Sequence, residues 1–341
     1  MRIVVTGASG NIGTALLDRL AAHDEVSEIA GIARRVPPVD AGPPYDRVAW
    51  HRLDVAGSGA AAQLAAIFRG AAAVVHLAWH IVGGHDRRAQ ARTNRVGSTA
   101  VLAAAIQAGV PQLVHLSSAA VYSPRTGDVV VPESWPRRGC ERSAYSRDKV
   151  AVEDLLDRVE AERPGLRIAR IRPPAVLQPA AAGDLARLAL GRVAPLARPV
   201  GARALVLPLP AGATMQVAAA PDVADLVTRA VLARAAGPFN VADPPVLTAR
   251  VLARLLGGRH LPAPRPVVRG LLGAAWALGL QPLDASWADL LLDTPLLDCS
   301  RAEAVLGWRP RHDARLTVLA TRRAIAGGVG TASPRLRPAG R

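Results

Sequence analysis

Short runs of apolar, mostly β-branched residues alternate with longer alanine- and leucine-rich segments through the first half of the chain. The short runs predict six strands: RIVVT (2–6), EIAGIA (28–33), RVAWHRL (47–53), AAVVHLA (72–78), QLVHLSS (112–118) and RIARIR (167–172). The longer segments predict helices: NIGTALLDRLAA, GAAAQLAAIFRG, residues 86–108 and SRDKVAVEDLLDRVEA. Strand alternating with helix at this spacing predicts an α/β fold, a Rossmann-type doubly wound parallel sheet.

The pattern changes after Arg172, where Pro-rich stretches such as RPPAVLQPAA and LPLPAGA are followed by short helices. We expect these residues to form a smaller C-terminal substrate lobe at the carboxyl edge of the sheet, where open α/β sheets bind ligands. The predicted division is a Rossmann domain at 1–175, to which 216–242 return, a substrate lobe at 176–215 and 243–325, and a disordered tail at 326–341.

The composition allows a large core but raises the question of nucleic-acid binding. The 341 residues are 50% hydrophobic, with a mean hydropathy of +0.19 and a formal net charge of +15. The arginines are spread along the whole chain, and aromatic residues make up only 3%, which leaves few rings to stack on bases. We therefore predict no nucleic-acid partner.

The sequence also argues against a membrane protein and a metal site. The longest apolar run lies within residues 270–283 and is too short to span a bilayer, and the first residues do not form a signal peptide. Cys140 and Cys299 fit neither a disulfide framework nor a zinc spacing. We therefore predict a cytoplasmic protein without a bound metal.

A glycine-rich turn, TGASGNIG, follows the first predicted strand and opens the first predicted helix. Gly7, Gly10 and Gly13 allow a tight turn and close backbone approach, and the helix N-terminus offers N–H groups to a pyrophosphate. The context of strand, turn and helix predicts dinucleotide binding. Expected contacts in this turn also include Ser9, Asn11 and Ile12.

The end of the second strand bears on the choice of dinucleotide. NAD-binding proteins place a carboxylate here for the ribose hydroxyls, but this chain has Ala33, followed by Arg34 and Arg35. Because guanidinium groups suit a 2′-phosphate, we predict NADP, with NAD as the alternative. Asp54, after the third strand, is a candidate contact to the adenine, or a turn aspartate.

Lys149 is the one lysine of the chain, and it lies four residues after Tyr145. Residues at this spacing share one helix face, so both side chains can reach one point. A nearby ammonium lowers the pKa of a tyrosine by favouring the phenolate, and it has donors left for ribose hydroxyls. The pair therefore predicts a catalytic tyrosine and its supporting lysine.

These motifs resemble the extended short-chain dehydrogenase/reductase superfamily, namely the NAD-dependent epimerase/dehydratase family. The matching pieces are TGASGNIG (6–13), LDV (53–55), HLAW (76–79), TNRVGST (93–99), HLSSAAVYS (115–123), YSRDK (145–149), IRPPAVLQP (171–179), PDVADLV (221–227), FNVAD (239–243) and LGWRP (306–310). The resemblance implies that Tyr145 is the acid/base, that Lys149 orients the ribose, and that Ser118 binds the substrate oxygen. It also implies cofactor contacts by Val55, Leu77, Ala78, Asn94 and Pro173, with an Asn94 that bonds only to backbone as the alternative.

Departures from the family pattern bear on the substrate. Ala119 and Ala120 occupy the positions where family dehydratases carry an Asp–Glu pair, so dehydration lacks its acid and base. Ala175 and Gln178 replace the Asn and Gly of the family's RPxNVYGP stretch, which puts sugar-nucleotide chemistry in doubt. Arginines that could still hold phosphates are Arg187, Arg192 and Arg203. Candidate substrate contacts are Trp79, His80, Ser118, Ala119 and Gln178, with ordinary packing as the alternative for Trp79.

We therefore predict an NAD(P)-dependent oxidoreductase that transfers hydride between the cofactor and a carbonyl or secondary alcohol of a small molecule. One alternative is an NAD(P)-dependent epimerase, which could act on a sugar nucleotide. The other is a non-catalytic dinucleotide-binding sensor, although such relatives typically lose the Tyr or the Lys. A homodimer through the helices that flank Asn94 and Lys149 is a further expectation from the resemblance.

Overall fold

The computed structural model describes residues 1–81, 84–191 and 206–337. Its strands, in chain order, are β1 (Arg2–Thr6), β2 (Glu28–Ala33), β3 (Val48–Arg52), β4 (Ala73–His76), β5 (Gln112–Leu116), β6 (Val130–Val131), β7 (Arg167–Arg172), β8 (Ala175–Leu177), β9 (Val206–Leu209), β10 (Thr214–Ala219), β11 (Gly237–Asn240), β12 (Asp243–Thr248), β13 (Arg259–Pro262) and β14 (Leu296–Leu297). Its helices are α1 (Asn11–Ala21), α2 (Ala60–Phe68), α3 (Arg87–Ala91), α4 (Gly97–Gln107), α5 (Ala144–Glu162), α6 (Ala182–Leu190), α7 (Ala220–Leu232), α8 (Ala249–Leu255), α9 (Arg265–Ala277), α10 (Ser286–Asp293), α11 (Ser300–Leu306) and α12 (Ala314–Ala326).

A seven-stranded parallel sheet in the order β11-β7-β5-β4-β1-β2-β3 forms the centre of the molecule. The predicted α/β, Rossmann-type fold is therefore confirmed. The strand order reverses between β1 and β4, and in open α/β sheets the crevice at such a reversal binds the ligand. Of the six predicted strands, β1, β2 and β7 match the observed bounds in full, and the other three begin and end within two residues of them.

Helices cover both faces of the sheet because its strands are buried on both sides, as parallel sheets require. One core packs the sheet against α1 and α7, with Leu16, Leu17 and Leu226 fully buried. The other packs it against α2, α4 and α5, where Leu64 and Phe68 are fully buried. The two layers hold the carboxyl ends of the strands in fixed relative positions.

The helix predicted over 86–108 is interrupted. Arg92–Val96 forms a π-helical turn between α3 and α4. Such turns insert one extra residue and often occur at functional sites. Here the turn directs Asn94 into the interior, where it is fully buried.

Three short sheets lie outside the central sheet, in the orders β12-β10-β8, β13-β9 and β14-β6. Most of their strands belong to residues predicted to form the smaller lobe, whereas β6 belongs to the predicted Rossmann domain. After α7 the chain returns to the central sheet, where β11 is the edge strand beside β7. Within the described ranges, no helix is long and apolar enough to cross a membrane.

The structure differs from the expected disordered tail for the described residues after α12. Ser333 and Leu336 are fully buried. The segment is closed by backbone bonds from Thr331 N to Leu336 O at 3.0 Å and from Leu336 N to Ser333 O at 2.9 Å. Composition alone did not predict this order, because it depends on contacts with residues near the start of the chain.

Candidate active site

The glycine-rich turn adopts a conformation that requires glycine. Gly7 has φ of +72°, and a Cβ atom there would lie 2.7 Å from the backbone nitrogen of Ala78. A Cβ atom on Gly13 would lie 2.5 Å from the carbonyl oxygen of Ala8. Since α1 begins at Asn11, the first N–H groups of the helix lie at this turn. The turn therefore fits a dinucleotide pyrophosphate.

A cavity of about 440 Å³ extends from this turn to the start of α5. The predicted site residues that line it are Gly7, Ser9, Gly10, Asn11, Ile12, Gly13, Arg34, Arg35, Asp54, Val55, Leu77, Ala78, Trp79, Ser118, Ala119, Tyr145, Lys149 and Pro173. The fold therefore brings the three candidate catalytic side chains into the same cavity as the glycine-rich turn.

At one end of the cavity, Arg34 and Arg35 are exposed after β2. The hydroxyl of Ser9 donates to the carbonyl oxygen of Arg35 at 3.1 Å, which ties this loop to the glycine-rich turn. Asp54 lines the same region and accepts a bond from the backbone of Ala56 at 3.0 Å. Both arginine side chains thus lie beside the turn, where an adenosine ribose is expected.

Helix α5 presents Tyr145, Lys149 and Glu153 at intervals of four residues, so the three side chains share one face. The helix starts after Ser143, whose hydroxyl accepts a bond from Ser146 N at 3.3 Å. This cap fixes the first turn of the helix, and with it the position of Tyr145.

Lys149 is buried, with 2% of its surface exposed. Its Nζ donates to the carbonyl oxygen of Leu116 at 2.6 Å and lies 3.5 Å from the ring centroid of Trp79. Burial lowers the pKa of this ammonium to about 7, although the carboxylates of Glu153 and Asp148 oppose the shift. The lysine is therefore poised to change its charge near neutral pH.

Tyr145 lies in an aromatic setting, 6.3 Å from the Trp79 ring and 5.5 Å from the Trp287 ring. Burial raises the pKa of its phenol, and a hydrogen bond from Ser118 opposes that rise. The predicted lowering of the tyrosine pKa by Lys149 is thus absent from the described structure. A raised pKa keeps the phenol protonated at neutral pH, which suits a proton donor.

Two buried histidines lie beneath this wall of the cavity. His76 bonds to Thr6 at 2.7 Å and to Ser98 at 2.9 Å, and burial lowers its pKa to about 3. The pKa of His115 is also lowered well below its usual value by burial and then by Lys149. Both imidazole rings are therefore neutral at neutral pH.

Ser117, beside the candidate Ser118, is held by a buried ion pair. Its hydroxyl donates to Glu153, which Arg172 holds through Nε at 2.9 Å. Burial raises the pKa of Glu153, but the bonds from Arg172 outweigh it and leave the pKa lowered. This network fixes the end of β5 against α5 and so sets the separation of Ser118 and Tyr145.

Three predicted residues do not line the cavity. Asn94 instead accepts a bond from the backbone N–H of His80 at 2.8 Å and donates to Asp148 at 3.1 Å. His80 is thereby fixed through its backbone. Gln178 donates to the carbonyl oxygen of Asn11 at 2.6 Å. Asn94 and Gln178 therefore position their neighbours, because their amides are used within the protein.

Sequence reasoning missed most of the wall contributed by the smaller lobe. This part of the cavity is lined by Asp184, Leu185, Leu188, Thr214, Met215, Gln216, Trp287, Leu290, Leu291, Thr294 and Arg335. Apart from the apolar periodicity of the helices, no local pattern marks these positions. Of the arginines proposed to hold phosphates, Arg187 bonds to the carbonyl oxygen of Arg335, and Arg192 and Arg203 lie outside the described residues.

Comparison with known proteins shows the family and the fold of the chain. Residues 3–242 match the model of the NAD dependent epimerase/dehydratase family. No curated protein sequence matches the chain. A UDP-glucose 4-epimerase from Thermus thermophilus, in complex with NAD, is 22% identical, with a TM-score of 0.69 over 96% of this chain and 100% of that one. The UDP-glucose 4-epimerase from Thermotoga maritima, with UDP-glucose, is 17% identical, with a TM-score of 0.70 over 96% and 99%.

A third similar structure is a dehydratase. DesIV, the dTDP-glucose 4,6-dehydratase from Streptomyces venezuelae with NAD and TYD bound, is 22% identical, with a TM-score of 0.71 over 95% of this chain and 96% of that one. At these identities the three structures share the fold with this chain.

Proposed function

Because the chain belongs to the NAD-dependent epimerase/dehydratase family, we propose that it transfers hydride between NADP and a carbonyl or secondary alcohol of a small molecule. The family makes it an enzyme of the extended short-chain dehydrogenase/reductase type that uses a nicotinamide cofactor. The observation that carries the proposal is the convergence of Ser118, Tyr145 and Lys149 on one cavity that begins at the glycine-rich turn.

Each catalytic residue of the cavity has a separate role in the proposed reaction. A bound nicotinamide supplies the hydride to the carbonyl carbon, or accepts it from the alcohol. In reduction, Tyr145 gives its phenolic proton to the carbonyl oxygen, so that a carbonyl becomes a hydroxyl. Ser118 donates a hydrogen bond to the oxygen as negative charge develops on it.

Lys149 supports the same proton transfer. Its ammonium has donors for the ribose hydroxyls of a bound nicotinamide nucleotide, so that Lys149 would hold this ribose beside Tyr145. Trp79 and Trp287 pack around the phenol and exclude water from it, which strengthens these interactions. The side chains therefore form a preorganised site for a proton transfer.

The choice of NADP rests on the loop after β2. Ala33 stands where a carboxylate would meet ribose hydroxyls, and Arg34 and Arg35 line the cavity. Two exposed guanidinium groups beside the ribose site favour a 2′-phosphate.

Family membership favours epimerisation as a second candidate. An epimerase would oxidise and then reduce the same carbon on opposite faces, with the same Ser118, Tyr145 and Lys149. The cofactor would then be regenerated in every cycle, so it would have no need to leave the protein.

Absorbance at 340 nm distinguishes the two candidates. We expect net loss of NADPH absorbance when the protein is mixed with the appropriate member of a panel of ketones and aldehydes. An epimerase would instead release cofactor only on denaturation and convert an alcohol into its epimer without net absorbance change. If neither reaction occurs with a protein that binds NADPH, the proposal of catalysis is wrong.

Two further proposals concern the setting of the enzyme. We propose that the enzyme forms a homodimer through α4 and α5, supported by the family resemblance and by Val96, which is 57% exposed beside α4.

We also propose that the enzyme is located in a reducing cytoplasm, supported by two free cysteines, Cys140 and Cys299.

A further inference from the structure

The residues after α12 reach back to the cofactor cavity. We call residues 331–337 the C-terminal strap. The hydroxyl of Ser333 donates to the carbonyl oxygen of Ser9 at 2.6 Å, a contact between residues 324 positions apart. At the near end of the strap, Tyr45 donates to Thr331 at 2.9 Å. The strap therefore docks on the glycine-rich turn itself.

The docking is internal to the protein. Leu336 and Ser333 are fully buried, whereas Arg337 is exposed. Arg187 of α6 donates to the carbonyl oxygen of Arg335 at 2.7 Å. Because both ends and the middle of the strap are held, its side chains have defined positions.

Arg335 is the strap residue that lines the cavity, together with Gly10 and Asn11 of the turn. Its Nε lies 3.1 Å from the carboxylate of Asp184, which lines the same wall. The guanidinium is thus placed between α6 and the glycine-rich turn, with its five donors in a planar fork. The pyrophosphate of a dinucleotide is expected over this turn.

We propose that the C-terminal strap is part of the cofactor site and that Arg335 binds the pyrophosphate of the dinucleotide. Arg335 also offsets the charge of Asp184, which would otherwise repel the phosphates from the cavity wall. Ser333 positions the strap on the turn, and through Ser9 it adjoins the loop of Arg35. This inference rests on dinucleotide binding alone and does not depend on the reaction proposed above.

Titration of the full-length protein with NADH and with NADPH tests the proposal. Arg335→Ala should raise both Kd values at least tenfold, or about 1.4 kcal/mol. Arg337→Ala removes the same charge two residues away on the exposed side, and should change both values less than twofold. Melting temperatures show whether each variant is folded. If Arg335→Ala is not folded, Arg335→Gln replaces it in the titration.

A double-variant cycle separates direct binding from simple neutralisation of Asp184. If Arg335 contacts the pyrophosphate, Asp184→Asn combined with Arg335→Ala should still bind less tightly than Asp184→Asn alone. Equal affinities of these two variants would mean that Arg335 only offsets Asp184, and would overturn the direct contact.

Two other outcomes would also overturn the proposal. One is a change of less than twofold in both Kd values of Arg335→Ala. The other is a loss confined to NADPH, which would place the guanidinium at the 2′-phosphate. Ser333→Ala, which keeps the charge of Arg335 but loosens the strap, should weaken both cofactors by a smaller factor.

Discussion

Lys149 combines burial, a single hydrogen bond to a carbonyl and contact with the face of an indole ring. Apart from these two contacts, the groups that stabilise its charge in the described structure are the carboxylates of Glu153 and Asp148. Burial therefore has the larger effect and moves the pKa to about 7. A fixed charge such as arginine would not titrate in this range.

The first prediction is that Lys149 titrates near neutral pH. Between pH 7 and 10.5, Lys149 is protonated in the unfolded chain but neutral in the folded protein. The free energy of unfolding should therefore rise with pH over this range. Relative to Lys149→Met, the wild-type free energy of unfolding should gain a few kcal/mol across this range, because each pH unit between the folded and unfolded pKa values adds roughly 1.4 kcal/mol.

NMR measures this directly, because isotope-labelled lysine gives one signal from a chain with one lysine. A midpoint between about 6 and 8 for the cofactor-free protein supports the account. A midpoint near the ordinary value of lysine would show that the ammonium is solvated and the site differently arranged.

The second prediction, also at single residues, is a preference for NADPH. Titration should give at least tenfold tighter binding of NADPH than of NADH, about 1.4 kcal/mol. The double variant Arg34→Ala, Arg35→Ala should lose this preference with little change in the affinity for NADH. Tighter binding of NADH by the wild type would contradict the role of both arginines.

At the scale of elements, α5 is attached to β5 and β7 by buried charge. Glu153 meets Ser117 of the segment after β5 and Arg172 of β7, and Arg137 lies 3.3 Å away. Because a buried charge left without its partner is costly, this network holds the helix that carries Tyr145 and Lys149.

The third prediction concerns this attachment. Glu153→Ala should lower the free energy of unfolding by about 3–5 kcal/mol, because it leaves Arg172 buried and unpaired. Asp154→Ala is the matched control, since Asp154 pairs with the same Arg137 but is 49% exposed, and it should cost less than about 1 kcal/mol. Urea denaturation monitored by circular dichroism gives both values, and equal losses would refute the structural role of Glu153.

The elements themselves show what sequence patterns can predict. The strands of the central sheet follow from apolar runs, since both faces are buried and the runs are continuous. The π-helical turn at Arg92–Val96 does not follow from them, because its cause is the bonding of Asn94 to the backbone of His80 and to Asp148. Tertiary contacts decided that local conformation.

Across the whole molecule, the two halves of the site differ in how far they could be predicted. The Rossmann half of the site is recognisable in the sequence for two reasons. A tight turn requires glycines at fixed positions, and a Tyr and a Lys on one helix face must be four residues apart. The other half is made by packing, as Met215 and Trp287 show, and packing leaves no fixed spacing. Arg335 was predicted to lie in a disordered tail, because no local pattern reveals contacts with Asp184 and Arg187, which lie 151 and 148 positions earlier in the chain.

The fourth prediction is that sugar nucleotides are not substrates. Ala175 lines the cavity at the position of the family's Asn, and the amide of Gln178 is used by Asn11. UDP-, GDP- and dTDP-sugars should therefore give no saturable thermal stabilisation when cofactor is present. A dose-dependent shift with any of them would reverse this conclusion.

The central claim is that Tyr145 donates the proton that accompanies hydride transfer. The most direct test uses NADPH deuterated at the transferable position and mass spectrometry of the alcohol formed from a responsive carbonyl compound. The account predicts one deuterium in the product of the wild type, and at least a hundredfold slower transfer, about 2.7 kcal/mol, in Tyr145→Phe and in Lys149→Arg. Tyr145→Phe should keep its NADPH affinity within a few fold. Near-normal transfer by Tyr145→Phe would contradict the account.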